Sequence, residues 1–157
     1  MGKSRVLSIR LADDLDTVRV LWAEYWKELG LPQEFQGFEE ELRTLPGNYS
    51  SPRGVLAIAY LDGVPAGTVA LRPLSRMVCE VKRLYVRAQF RRQGVGRDLM
   101  EWILQQTRAL GYRTVHGDTL PSMTDAIEMY RELGFQVMDH PYSDTPTPGA
   151  IYLELRL

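Results

Sequence analysis

Residues 89–111 read "QFRRQGVGRDLMEWILQQTRALG", and the run changes character halfway. It opens on paired arginines and on Gly94 and Gly96, then becomes an amphipathic helical pattern that stops at a glycine. Neither residue type is the ordinary choice for a first helical turn. A helix N-terminus presents unpaired backbone N–H groups and about half a positive charge. If the preceding loop turns successive N–H groups inward, it becomes a cradle for phosphate. Glycine reaches backbone angles closed to other residues and lets an oxygen approach the amide. Arginines beside the cradle add charge and forked hydrogen bonds. Arg91-Arg92-Gln93-Gly94-Val95-Gly96 meets each requirement; the plainer reading is an unusual helix start with surface arginines. A Walker loop would need Gly-Lys-Ser/Thr, which is absent. A dinucleotide fingerprint would need a third glycine where Leu99 stands.

The elements around this stretch can be read outward. "VLSIRLA" (6–12) is a short strand. Residues 13–30 form a helix capped by Asp13 or Asp14, with Leu15, Val18, Leu21, Trp22, Tyr25 and Leu29 on one stripe, ended by Gly30 and Pro32. A second short helix covers 38–45 and a loop 46–54. Residues 55–74 form a hairpin about Asp62-Gly63, a preferred type I′ pair. Strands follow at 77–86 and 114–119, helices at 96–110 and 122–135, and closing strands at "QVMDH" and "AIYLELRL". The order β-α-α-β-β-β-α-β-α-β-β implies a mixed sheet with helices on both faces. In "MVCEVKRLYV" (77–86) the apolar positions change parity near Lys82-Arg83. A β-bulge explains this, and so does a strand buried on both faces at one end.

Composition sets the class. The chain has 157 residues, 45% apolar and 25% charged, as expected of one globular domain spanning 1–157. No apolar run approaches the roughly 20 residues of a membrane span, and the first residues lack a signal peptide's apolar core. One cysteine, Cys79, and two histidines, His116 and His140, leave no disulfide framework and argue against a structural zinc site. The expectation is a cytoplasmic protein without metal. Net charge is −1, yet residues 76–113 hold nine basic and three acidic side chains between two acidic flanks. That favours one anionic ligand over a nucleic-acid surface, which wants a domain-wide excess; a solvated basic helix face is the plainer alternative.

Arg91-x-x-Gly94-x-Gly96 resembles the acetyl-CoA pyrophosphate loop of the GNAT superfamily, the GCN5-related N-acetyltransferases. "KRLYVRAQFR" resembles that family's fourth strand and its exit, and "AIEMYRELGF" (126–135) its helix with a tyrosine before Gly-Phe. The resemblance implies an α/β (α+β) GNAT fold with a mixed, mostly antiparallel sheet of about seven strands whose fourth and fifth strands splay apart. It implies acetyl-CoA as co-substrate. Main-chain amides from Arg92 to Arg97, including Gln93, Gly94, Val95 and Gly96, would hold the pyrophosphate, with side-chain reach from Arg91 and Gln93. The backbone of Leu84, Tyr85 and Val86 would pair with the pantetheine arm. Many relatives carry an asparagine where this chain has Met123, so one CoA contact is missing or supplied by Ser122 or Thr124.

The implied reaction is attack of a primary amine on the thioester. It needs a base, an oxyanion donor and an acid for the leaving thiolate. Tyr130 matches the family's general acid; its place on a stripe with Ile127 and Leu133 fits a core aromatic equally well. Glu80 is the candidate base, directly or through a water, because a carboxylate inside "MVCEV" is costly unless used or paired. A salt bridge to Lys82 or Arg83, or plain exposure, is the alternative. A backbone N–H near Leu84 would serve the oxyanion. Cys79 has no neighbour that would activate it. By the same resemblance the acceptor faces Trp22, Tyr25, Trp26, Glu28 and residues 30–38, with 140–149 as a lid. Trp22 and Tyr25 read most simply as core, and Glu39-Glu40-Glu41 as a solvated face. A small or amino-acid-like amine is the expected partner, a protein N-terminus or lysine the alternative, and a non-catalytic acetyl-CoA sensor a further one. A homodimer through the last strands follows only by analogy.

Overall fold

The structure, a computed structural model, describes residues 5–32, 37–143 and 147–157. The elements are β1 (Leu7–Leu11), α1 (Leu15–Leu29), α2 (Phe38–Arg43), β2 (Val55–Leu61), β3 (Val64–Pro73), β4 (Val78–Val86), α3 (Val95–Ala109), β5 (Thr114–Thr119), α4 (Thr124–Glu132), β6 (Gln136–Val137) and β7 (Ile151–Arg156). They follow the expected order. The seven strands form one sheet in the order β1-β2-β3-β4-β5-β7-β6. All neighbours run antiparallel except β4 and β5.

Local chemistry fixes the element ends. Asp14 caps α1, accepting from the amides of Asp16 and Thr17 at 3.1 and 3.2 Å, and Gly30 ends the helix at φ 70°. Asp62 and Gly63 both take positive φ, 52° and 80°, as a type I′ turn requires. Each sheet face then buries its own helices. On one face Val95, Leu99, Met100 and Ile103 of α3 pack on Val69, Leu71, Cys79 and Val115. On the other, Trp22 and Trp26 of α1 and Phe38 of α2 pack on Leu56, Ile58 and Ala70.

Besides a register shift between β2 and β3 at Ala59-Tyr60, the sheet has an irregularity in β4. Thr68 pairs with Tyr85 and Ala70 with Lys82, so Arg83 and Leu84 together oppose Val69 alone. Arg83 takes φ 61° to make this bulge. Cys79, Glu80 and Val81 are buried in succession, so both readings of the parity change hold, at different ends of one strand. On its other edge β4 pairs with β5 only from Val78 to Glu80, against Thr114 to His116. Beyond Glu80 the two strands part, which is the expected splay.

Gly67 lies opposite Val86, just past the bulge. A Cβ there would lie 2.6 Å from the Tyr85 carbonyl oxygen and 3.1 Å from Leu99 Cδ1. The first neighbour is backbone and cannot yield cheaply. Gly67→Ala is expected to lower stability by about 1–3 kcal/mol, read as a fall in the urea midpoint with unchanged slope.

Candidate active site

The start of α3 is built as a concave run of amides. Arg92 takes φ 62° and Gly94 φ 82°, and Gly94 is the N-cap with no side chain satisfying the helix's free N–H groups. Left-handed residues in alternation turn neighbouring amides to one side. The left-handed arginine is a strained choice that the sequence did not announce. Arg91 reaches back from this loop: its Nε donates to the Val86 carbonyl at 3.0 Å, and its guanidinium pairs with Glu28 of α1.

A cleft of about 670 Å³ begins at this cradle and runs along the free edge of β4. Of the residues expected to bind the cofactor, Leu84, Tyr85, Val86, Arg91, Arg92, Gly94, Val95 and Gly96 line it. Gln93 and Arg97 do not: Gln93 accepts from Arg5, and Arg97 pairs with Glu132. Ser122, Met123 and Thr124 form the opposite wall, so the polar neighbours of Met123 are in position to supply a contact. Tyr25 also lines the cleft, its ring 5.3 Å from that of Tyr85; it is a wall residue, whereas Trp22 is fully buried core.

The cleft continues into a tight pocket of about 70 Å³, with Tyr25, Leu29, Leu84, Met123 and Ala126 common to both. Here Tyr130 is brought to the gap between the splayed strands. It packs edge-on against Phe135 and is 7% exposed. Burial pushes its hydroxyl well above the ordinary phenol value, so the proton is held throughout the neutral range. The core reading and the cleft reading of Tyr130 are both satisfied. Lys82, Asp118, Trp26 and Leu31 also line the pocket, as do Thr147 from the segment expected to form a lid and Ala150 just beyond it. Residues 33–36 and 144–146 of the expected acceptor region lie outside the described residues.

Glu80 sits apart from this pocket. It is 3% exposed, accepts from Arg72 Nε at 2.6 Å through Oε1, and accepts from the Tyr142 hydroxyl through Oε2. The expected ion pair exists, but its partner is Arg72 of β3 rather than Lys82 or Arg83. Strand pairing decides this, because Arg72 lies directly opposite Glu80. Tyr142 also stacks on His116, ring centroids 4.4 Å apart, and His116 Nε2 lies 3.0 Å from Glu154. Cys79 is inert, its thiol pushed up to about 12 by burial.

Two residues that matter here were not picked out by sequence reasoning. Asp118 enters through β5, where "TVHGDT" alternates polar and apolar; His116 and Asp118 share the polar set. The alternation was legible, but not that the splay would open beside it. Glu41, read as part of a solvated run, instead accepts Arg83 Nε and Nη2, each at 3.0 Å, and the Tyr49 hydroxyl at 2.7 Å. The Arg83 guanidinium lies 4.7 Å from the Trp26 ring.

Known proteins share the family and the fold of this chain. Residues 16–135 match the family described as "Acetyltransferase (GNAT) family". An uncharacterized N-acetyltransferase of Schizosaccharomyces pombe is 33% identical over 154 residues, covering 97% of this chain and 94% of the relative. Among solved structures, an acetyltransferase of GNAT family from Staphylococcus aureus superposes with a TM-score of 0.81 at 16% identity, covering 96% and 99% of the two chains. The PaiA N-acetyltransferase of Thermoplasma acidophilum, solved in complex with coenzyme A, gives 0.77 at 18% identity, covering 97% and 99%. At such identities the structures establish the fold alone.

The Arg83–Glu41 pair makes a stability prediction. Burial pushes the Glu41 carboxyl up, but the hydrogen bonds and charge of Arg83, with Tyr49, outweigh it and hold the group below its ordinary 4.5. A lowered folded value means stability that is present above the unfolded value and lost as pH falls through the folded one. Wild type should therefore lose stability faster than Glu41→Gln between about pH 5 and pH 3. Arg83→Met, which strands the carboxylate, should cost about 3 kcal/mol at pH 7. Urea titrations across pH test both.

Proposed function

The chain belongs to the GNAT acetyltransferase family, and from that premise we propose that it transfers an acetyl group from acetyl-CoA to the primary amine of a small acceptor within a ternary complex. One observation carries the reading: a continuous cleft leads from unpaired amides at the start of α3, along the free edge of β4, to a buried phenol. Amides of Arg92, Gly94, Val95 and Gly96 grip the diphosphate, with Arg91 beside them. The free edge of Leu84, Tyr85 and Val86 takes the pantetheine arm as a strand would. The bulge at Arg83 turns an amide near Leu84 toward the thioester carbonyl, where negative charge develops.

Tyr130 gives a proton to the departing sulfur. The amine must first lose a proton, because only the neutral form attacks. Both Glu80 oxygens are engaged, which supports its ion-pair role over the expected base role. Asp118 is the carboxylate that lines the pocket, and burial pushes it above the ordinary carboxylate range. It is the better-placed base. One proton passes from the ammonium to Asp118 and then to water. The nitrogen bonds the acetyl carbon as the carbon–sulfur bond breaks, Tyr130 protonates the sulfur, and the nitrogen's surplus proton restores Tyr130. The tightness of the pocket supports a compact acceptor over a protein side chain.

Tyr130→Phe should lower kcat about 100-fold or more while the acetyl-CoA Kd stays within about twofold. Thiol release over an amine panel and calorimetric titration of acetyl-CoA test this. Binding with no turnover by wild type on any amine would point to a sensor instead.

A further inference from the structure

Resting on the acetyl-transfer reading, we infer that the acceptor carries an anionic group beside its amine, a carboxylate in the manner of a free amino acid, and that Lys82 holds that group while Asp118 receives the ammonium.

The strands place the two charges. Glu80 of β4 and His116 of β5 are paired in register. Lys82 and Asp118 are each two residues further on, on the same face, where the strands no longer hydrogen-bond. Both line the tight pocket beside Tyr130.

What sets them apart is that neither is spent. Nearby charges are matched within the protein: Arg83 with Glu41, Arg72 with Glu80, Arg87 with Glu24. Among the described residues, the side chains of Lys82 and Asp118 have no hydrogen-bond or ion-pair partner, and they are not within ion-pair distance of each other; their backbones pair in the sheet with Ala70 and Tyr152. Both are partly buried, and burial acts against each charge, lowering the Lys82 ammonium and raising the Asp118 carboxyl. Glu80 and Asp118 favour the Lys82 charge while Arg83 and Arg72 oppose it; Lys82, Arg83 and Arg72 favour the Asp118 charge while Glu80 opposes it. A cation and an anion held apart at one small cavity complement a ligand of opposite polarity: ammonium toward Asp118, anion toward Lys82.

This order disfavours the other amines. A diamine or polyamine would bring a second cation against Lys82 and Arg83. An N-terminal peptide residue has a neutral carbonyl where a free amino acid has its carboxylate. The cavity, about 70 Å³ and walled by Leu29, Leu31 and Trp26, suits a compact ligand.

The test measures kcat/KM by thiol release for glycine, alanine, methionine and phenylalanine, each against its amide and its decarboxylated amine. Wild type should prefer the acid in at least one series by about tenfold or more, the scale of a hydrogen bond to a charged group. In Lys82→Met that ratio should fall to near one, chiefly because KM for the acid rises, and Lys82→Arg should restore part of it. Acetyl-CoA titration of each variant reports whether it is folded. Turnover of amides or plain amines as readily as acids by wild type, or an unchanged ratio in a folded Lys82→Met, would overturn the inference and leave acetyl transfer standing. No turnover of any amine would remove both.

Discussion

The parting of β4 from β5 is the constraint on which the rest of the molecule turns, and the ion pair between Arg83 and Glu41 accompanies it. A sheet strand normally satisfies both edges. Here β4 is fully paired with β3 on one edge, through a bulge, and with β5 over three residues on the other. The bulge puts Arg83 into a left-handed conformation and sends its side chain under α1 and α2, against Trp26 and onto Glu41. Buried ion pairs are weak sources of net stability, but a broken one is costly. The pair therefore acts as a register pin, because any slip of β4 would leave one charge stranded.

A gap in a sheet leaves backbone groups unsatisfied, and here the cleft runs along that gap. The free edge of β4 begins where pairing with β5 ends and leads to the left-handed Arg92 and Gly94 that open α3. The strand that lacks a neighbour and the helix that lacks a cap are adjacent by chain connectivity. One extended ligand, with an anionic end and an amide-bearing arm, would satisfy both. The same splay lets a phenol from α4 approach from one face while Lys82 and Asp118 approach from the other.

Charge is handled differently in the two halves of this path. Along the outer cleft Arg91 is tied to Glu28 and Arg87 to Glu24, which keeps a basic loop anchored against an acidic helix. At the inner end Glu80 is sealed by Arg72 and Tyr142. The two charges left open there are the ones an amine-bearing acceptor would meet. Partly buried charge without a side-chain partner is rarely retained without use.

Much of this was legible in the sequence, for reasons of range. Asp14 and Gly30 bound α1, Asp62-Gly63 makes its turn, and Arg91 to Gly96 curl into α3; each depends on residues a few positions apart, so propensity and spacing determine them. The parity break in "MVCEVKRLYV" announced the bulge, because strand alternation is also local. What only the tertiary structure decided is which distant charges meet. Glu80 met Arg72 and Tyr142 rather than its sequence neighbours, and Glu41 left the solvated face to hold Arg83. Those pairings are set by strand register and by where the sheet opens, and register is a sum of contacts over the whole core that no short window of sequence contains.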